Sequence, residues 1–225
     1  MQSTVTNRPT TEHAQAMRLA MIDSQLRPNA VSDPRVIAAM AGVAREAFVP
    51  DAVAAVAYAD VKLPLTPGRM MNLPVATGRL LTAAALRDTD AVLLIGAAGG
   101  YAAAVLARLA ASVVAVETDA ELAGLARQAL AAAPNVTLVE GPLAAGHSAA
   151  APYDAIIIDG AIEHVPQALI DQLAVEGRLT TGLIENGVCR LSVGRRTAGG
   201  FGLADFADFD AAHLPGFALE RGFVF

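Results

Sequence analysis

Between Asp88 and Leu173 the chain alternates two apolar patterns. Short unbroken runs fall at 91–95, 113–117, 136–139 and 155–159, and segments with apolar residues at helical spacing separate them, at 100–110, 119–132 and 166–173. Runs this short, rich in Val and Ile and bounded by turn residues, read as strands buried on both faces. The alternation predicts a doubly wound, mostly parallel Rossmann-like sheet, covered on both faces in a three-layer α/β/α arrangement. The preceding residues read as helices. Glu12 to Leu26 carries apolar residues at Ala16, Leu19, Ala20 and Ile22 and stops at Arg27-Pro28. Ser32-Asp33-Pro34 is a helix start with proline in the first turn, and Val36, Ile37, Met40, Val43 and Ala44 form the stripe that follows. Residues 51–74 read as irregular, with turn signals at Pro64, Pro67-Gly68 and Pro74, and 75–86 as helix again. From Gly177 strands dominate, at 178–184, 187–193 and near 201–209 and 217–225; they predict antiparallel strands at the sheet edge. The reading is one domain over 1–225: N-terminal helices and a loop over 1–87, a core over 88–185 and C-terminal strands over 186–225.

Composition narrows the classes. Hydrophobic residues make up 54% and charged residues 17% of the 225, which excludes a disordered chain and provides for a large core. The net charge is −6, and no basic cluster exceeds Arg195-Arg196. A nucleic-acid partner is not expected, because phosphate contacts need a basic footprint. Ala91 to Ala107 is 17 residues without a charge, near the lower limit for a membrane span, but central glycines and the strand–turn–helix pattern argue against a membrane reading. The polar stretch Gln2 to Gln15 lacks the apolar run of a secretory leader, so the expected location is cytoplasmic. The single Cys189 lies in apolar surroundings and is expected in the core. His13, His147, His164 and His213 have no paired spacing, so no metal site is expected.

The candidate chemistry lies beyond the carboxyl ends of the strands, where open α/β sheets bind their ligands. Ala91-Val92-Leu93-Leu94-Ile95 runs into Gly96-Ala97-Ala98-Gly99-Gly100-Tyr101, and the next run ends in Glu117, 21 positions after Gly96. An acid there suits a ribose diol. Glycines at 96, 99 and 100 do not give the G-x-G-x-x-G spacing of a dinucleotide site. S-adenosylmethionine has no phosphate and needs a close backbone approach, an acid and room for a sulfonium, so it suits this turn better. The alternative is a turn whose glycines only pack helix on strand. The candidate cofactor residues are Gly96, Ala97, Ala98, Gly100, Tyr101, Glu117, Thr118, Gly141, Pro142, Leu143 and Asp159.

Several segments, in order, resemble the protein-L-isoaspartate O-methyltransferase family. Met21 to Arg27 is similar to its N-terminal helix, Val43-Ala44-Arg45-Glu46-Ala47-Phe48-Val49-Pro50 to its V-P-R-x-x-F-V-P segment, and Tyr58-Ala59-Asp60 with Leu63-Pro64-Leu65 to its Y-x-D-x-P-L-P-I. Ala151 to Ile157, Pro166 to Leu173 and Gly177-Arg178-Leu179 are similar to its later strand–helix–strand. The resemblance implies a methyltransferase fold, S-adenosylmethionine as cofactor, and a methyl acceptor that is a carboxylate of damaged protein or peptide. Such an acceptor is already ionised at pH 7, so orientation and exclusion of water suffice without a general base.

Three positions depart from the family pattern. Ala98 stands in the turn that the family writes G-x-G-S-G-Y, and a positive φ there would be costly for alanine. Gly141-Pro142-Leu143 replaces Gly-Asp-Gly and loses the carboxylate at the adenine end. Gly68-Arg69-Met70-Met71-Asn72-Leu73-Pro74 replaces Gly-x-Thr-Ile-Ser-x-Pro, so Asn72 takes the position of the serine associated with the acceptor. Asn72 and Arg69 are the candidate catalytic residues: the Asn72 amide to orient a carboxylate, Arg69 to pair with one. The plainer alternatives are a turn asparagine and an exposed loop arginine. Two further readings stay open, a non-catalytic relative acting as a binding or regulatory module, and a methyltransferase for another small acceptor.

Overall fold

The computed structural model describes residues 8–219. In chain order the elements are α1 (Thr11–Met21), α2 (Pro34–Ala41), α3 (Asp51–Ala54), β1 (Leu63–Thr66), β2 (Arg69–Met71), α4 (Pro74–Ala84), β3 (Ala91–Ile95), α5 (Tyr101–Leu106), β4 (Ser112–Glu117), α6 (Ala120–Ala129), β5 (Val136–Glu140), β6 (Tyr153–Ile162), α7 (Gln167–Asp171), β7 (Leu173–Glu185), β8 (Val188–Thr197) and β9 (Gly200–Asp208). Strands β3 to β9 form one sheet in the order β5-β4-β3-β6-β7-β8-β9. The pairings among β5, β4, β3, β6 and β7 are parallel. β7–β8 and β8–β9 are antiparallel. The Rossmann-like expectation therefore holds, antiparallel edge included. The chain order reverses at β3, with β4 on one side and β6 on the other, so the switch point lies beyond Ile95 and Ile158.

The unbroken run of β3 is explained by its two faces. Val92 and Leu94 point into a cluster with Val113, Ala115, Ala155, Ile157, α2 and α5. Leu93 and Ile95 point into another with Val116, Ile156, Ile158, Leu169 of α7 and Phe217. Period-2 alternation sends every second residue to the opposite layer, so a strand covered on both sides has no polar position. The cover is unequal: one face receives the N-terminal helices, the other α7, short 3-10 turns and the C-terminal segment.

Several boundaries differ from the sequence reading. The helix expected to Leu26 changes at Ile22 to a π-helical turn, Ile22–Leu26. α2 ends at Ala41, capped by Gly42, and a 3-10 turn, Arg45–Phe48, follows. The stretch 51–74, read as irregular, contains α3 and the hairpin β1–β2. A short two-stranded ribbon with prolines has no periodicity to announce it; its pairing is fixed by what it docks on. α5, α6 and α7 are shorter than expected, and β6 to β8 run longer. No strand occupies 217–219, and 220–225 lie outside the described residues. Cys189 is half-buried, with its side chain against Gly182. Among the described residues no helix is long and apolar enough to cross a membrane, and no three His, Cys, Asp or Glu residues group as metal ligands.

A buried ion pair ties the lower end of the sheet. Arg178 of β7 pairs with Asp90, and its Nε donates to the Ala84 carbonyl at 2.6 Å, which closes the end of α4. Burial alone would raise the Asp90 carboxyl, but the Arg87 backbone N–H, the Arg87 side chain and Arg178 hold it below the usual carboxylate range. Its contribution to stability is present above the unfolded value, near pH 4, and is lost as pH falls through the folded one. Asp90→Ala strands the Arg178 guanidinium and is expected to cost about 3–5 kcal/mol in urea denaturation.

Candidate active site

The glycine turn follows β3 directly. Gly96 has φ +81 and Gly100 has φ +101, and Gly99 lies so close to Phe48 that a Cβ there would meet its carbonyl oxygen at 2.5 Å. Ala98 takes φ +50, the left-handed conformation that costs alanine energy. Something must hold it there. The Ala98 N–H donates to Glu117 Oε2 at 2.6 Å.

Glu117 ends β4 and is fully buried. Oε2 also accepts from Arg69 Nη2 at 2.6 Å, and Oε1 accepts from the backbone N–H groups of Thr118 at 2.9 Å and Asp119 at 3.0 Å. A carboxylate offers about four lone-pair sites, and these four donors fill them. Asp119 caps α6 through Glu121 and Leu122 N–H and accepts from Thr66 Oγ1 of β1 at 2.7 Å. Hairpin β1–β2 thus docks on the carboxyl end of β4 at two points, through Arg69 and Thr66. Arg69 is 4% exposed, and its Nε and Nη1 have no partner among the described residues. The plain expectation of an exposed loop arginine is corrected: the guanidinium is drawn in because Glu117 is the negative charge beneath the hairpin. The acid expected for a ribose is, in this arrangement, fully bonded within the protein.

Asn72 follows β2 and is 2% exposed. Its Nδ2 donates to Asp159 Oδ1 at 2.9 Å, and its Oδ1 accepts from the N–H groups of Leu73 at 3.1 Å and Ala212 at 2.9 Å. It joins the hairpin, the end of β6 and the C-terminal segment, and its polar atoms are engaged there. This is neither a plain turn asparagine nor a free amide waiting for a carboxylate. Asp159 Oδ1 also accepts from Thr77 Oγ1 of α4 at 2.7 Å. Burial raises the Asp159 carboxyl, opposed by the Asn72 and Thr77 hydrogen bonds and by the Arg45 charge.

Some of the remaining expected residues gather here and some do not. Ala97 and Tyr101 are buried under the turn, while Thr118 and Pro142 are exposed. Gly141 N–H donates to the Glu117 carbonyl at 3.0 Å, and Leu143 packs into the second core face. Two contributors were not anticipated. Arg45 is fully buried, lies 4.7 Å from the Tyr101 ring centroid, donates to the Ala57 carbonyl at 2.8 Å and bonds the Asn72 carbonyl. Desolvation lowers its guanidinium pKa, partly offset by Tyr101 and Asp159. The available signal was its place in the segment Val43-Ala44-Arg45-Glu46-Ala47-Phe48-Val49-Pro50 that resembles the family. The other is Leu214. Ala161 and the segment 212–214 exchange two backbone hydrogen bonds, and Leu214 lies where a Cβ on Gly96 would meet it at 3.0 Å. No periodic pattern marks that segment.

The family model described as Protein-L-isoaspartate(D-aspartate) O-methyltransferase matches residues 17–213. The chain belongs to this family. A protein-L-isoaspartate O-methyltransferase of Methylorubrum extorquens (strain PA1) is 44% identical over 172 residues, 76% of this chain and 75% of its own length. One from Methanoregula boonei is 42% identical over 164 residues, 72% of this chain and 76% of its own length. Among solved structures, a protein-L-isoaspartate O-methyltransferase superposes with TM-score 0.75 at 20% identity, over 90% of this chain and 66% of that one. Another, from Plasmodium falciparum in complex with S-adenosyl-L-homocysteine, gives TM-score 0.71 at 16% identity, over 85% of this chain and 95% of that one. At these identities the structural likeness is one of fold.

The family's cofactor is S-adenosylmethionine. In the present arrangement the residues do not fit it. Glu117 has no acceptor site left for ribose hydroxyls, and Leu214 of the chain itself lies against Gly96.

Two outcomes follow from this geometry. Asn72→Ser shortens the bridge, leaves the Ala212 N–H without its acceptor and is expected to cost about 1–3 kcal/mol in chemical denaturation. Asp159 has a raised folded pKa, so its contribution is complete below the unfolded value, near pH 4, and is lost as pH rises through the folded one. Asp159→Asn keeps an acceptor for Asn72 and Thr77 and removes that loss. Melting curves should show the variant more stable than wild type at pH 8, the gap narrowing toward pH 4.

Proposed function

We propose that the chain is a cytoplasmic S-adenosylmethionine-dependent carboxyl methyltransferase of the isoaspartyl type, acting on a carboxylate of damaged protein or peptide. The observation that carries the reading is the family match over residues 17–213, which takes in hairpin β1–β2, the glycine turn, the acid at the end of β4 and β6 within one framework. A carboxylate acceptor fits the chemistry of the site, because it arrives ionised and asks for no proton transfer. A second reading, a non-catalytic binding or regulatory relative, is favoured by one feature, the complete pairing of Glu117 within the protein.

Incubation with S-adenosylmethionine carrying a labelled methyl group separates the two. An isoaspartyl peptide is expected to gain a base-labile methyl ester above the peptide-free blank, and its normal aspartyl isomer to gain none. Absence of ester from both, with a protein whose melting curve is intact, removes the methyltransferase reading in favour of the second.

A further inference from the structure

Glu117 is the residue on which two incompatible demands meet. A ribose diol needs free carboxylate lone pairs at the end of β4. The fold uses all of them: the N–H groups of Thr118 and Asp119 on Oε1, and the Ala98 N–H and Arg69 Nη2 on Oε2. Three of these donors are backbone groups of the turns that flank the acid. They cannot leave without unmaking the end of β4 or the glycine turn. Arg69 is different. It arrives from hairpin β1–β2, 48 residues away in sequence, on a side chain with several rotatable bonds. It is the one side-chain partner of the acid among the described residues.

The cost of keeping Arg69 there is visible. Two of its three guanidinium nitrogens, Nε and Nη1, are buried without a hydrogen-bond partner. Leaving buried donors unmade is unfavourable, and for a charged group more so. The pair therefore has a strong attraction at one nitrogen and an unmet demand at the others. Such a contact can be exchanged for another partner at moderate cost. Thr66 and Asp119 make the second attachment of the hairpin, through one neutral donor and one carboxylate.

We propose that Arg69 is an internal competitor for the cofactor at Glu117: hairpin β1–β2 closes the nucleoside seat, and an adenosyl ligand enters only when the guanidinium withdraws. The inference rests on the methyltransferase reading for the identity of the ligand. It makes Arg69 a determinant of cofactor affinity, rather than the partner of a substrate carboxylate. Apparent affinity then equals that of the open form reduced by the open fraction.

The experiment is calorimetric titration of S-adenosylhomocysteine into wild type and Arg69→Gln, with Arg69→Met as a second variant that keeps an unbranched apolar stem. Removing the competitor is expected to tighten binding about tenfold or more, as for an open form populated at about 10% or below. Hydrogen–deuterium exchange of the wild type gives a readout independent of any variant's folding. Saturating ligand is expected to speed exchange in residues 63–71, since the hairpin must lift; ordinary ligand protection would slow it. Equal affinity in wild type and both variants, within about twofold, overturns the competitor and leaves the methyltransferase reading in place. Slowed exchange in 63–71 on binding does the same. No binding by wild type or by either folded variant overturns the methyltransferase reading itself, and the competitor with it.

Discussion

A carboxylate with no exposure at the end of a central strand must be paired on every side, and the upper end of this molecule is organised by that requirement. Glu117 draws the Thr118 and Asp119 N–H groups into a tight turn that leads into α6, and the Ala98 N–H into a left-handed residue that alanine would otherwise avoid. Three backbone donors from two turns, 96–100 and 117–119, converge on one side chain. The fourth donor, Arg69, brings the β1–β2 hairpin with it. The strain at Ala98 and the buried charge at Arg69 thus have one cause.

Polar side chains tie the rest of the upper end in the same manner. Asn72 accepts from the C-terminal segment at Ala212 and donates to Asp159 on β6, and Arg45 bonds the Asn72 carbonyl while lying over Tyr101 of the glycine turn. Apolar packing holds the sheet and its helices, but the carboxyl ends of the strands are held by hydrogen bonds between segments far apart in sequence. Open α/β sheets bind their ligands at this end. A site braced by exchangeable polar contacts has two accessible arrangements more readily than one braced by a close-packed core.

The fold was largely legible because its signals are local. β3 and the Val113–Val116 run of β4 read correctly from continuous apolar residues, since positions covered on both faces of the sheet favour apolar side chains. The N-terminal helices read from stripes at helical spacing, and the start at Asp33-Pro34 from its cap chemistry, which the structure reproduces in the Asp33 bond to Arg35 N–H. The hairpin at 63–71 did not read, because four- and three-residue strands with prolines carry no period. The strand expected from 178 begins at Leu173, where its pairing with β6 starts, and the register shifts before Arg178 near the left-handed Glu176.

The candidate site was legible in its parts. Gly96 and Glu117 lie at the carboxyl ends of β3 and β4, Asp159 lies within β6 one residue past its last pairing with β3, and the family could be recognised from segments in order. What each side chain is bonded to was not. Arg69 and Glu117 are 48 residues apart, Asn72 and Ala212 140 apart, and no spacing rule connects them. The sequence by itself determined the strand order's raw material, the turn chemistry and the family, because those depend on contacts within one element or between consecutive ones. Only the tertiary structure decided that Glu117 is spent, that Asn72 is a bridge and that Leu214 lies over Gly96, because a buried polar atom takes whichever partner the folded chain brings within about 3 Å.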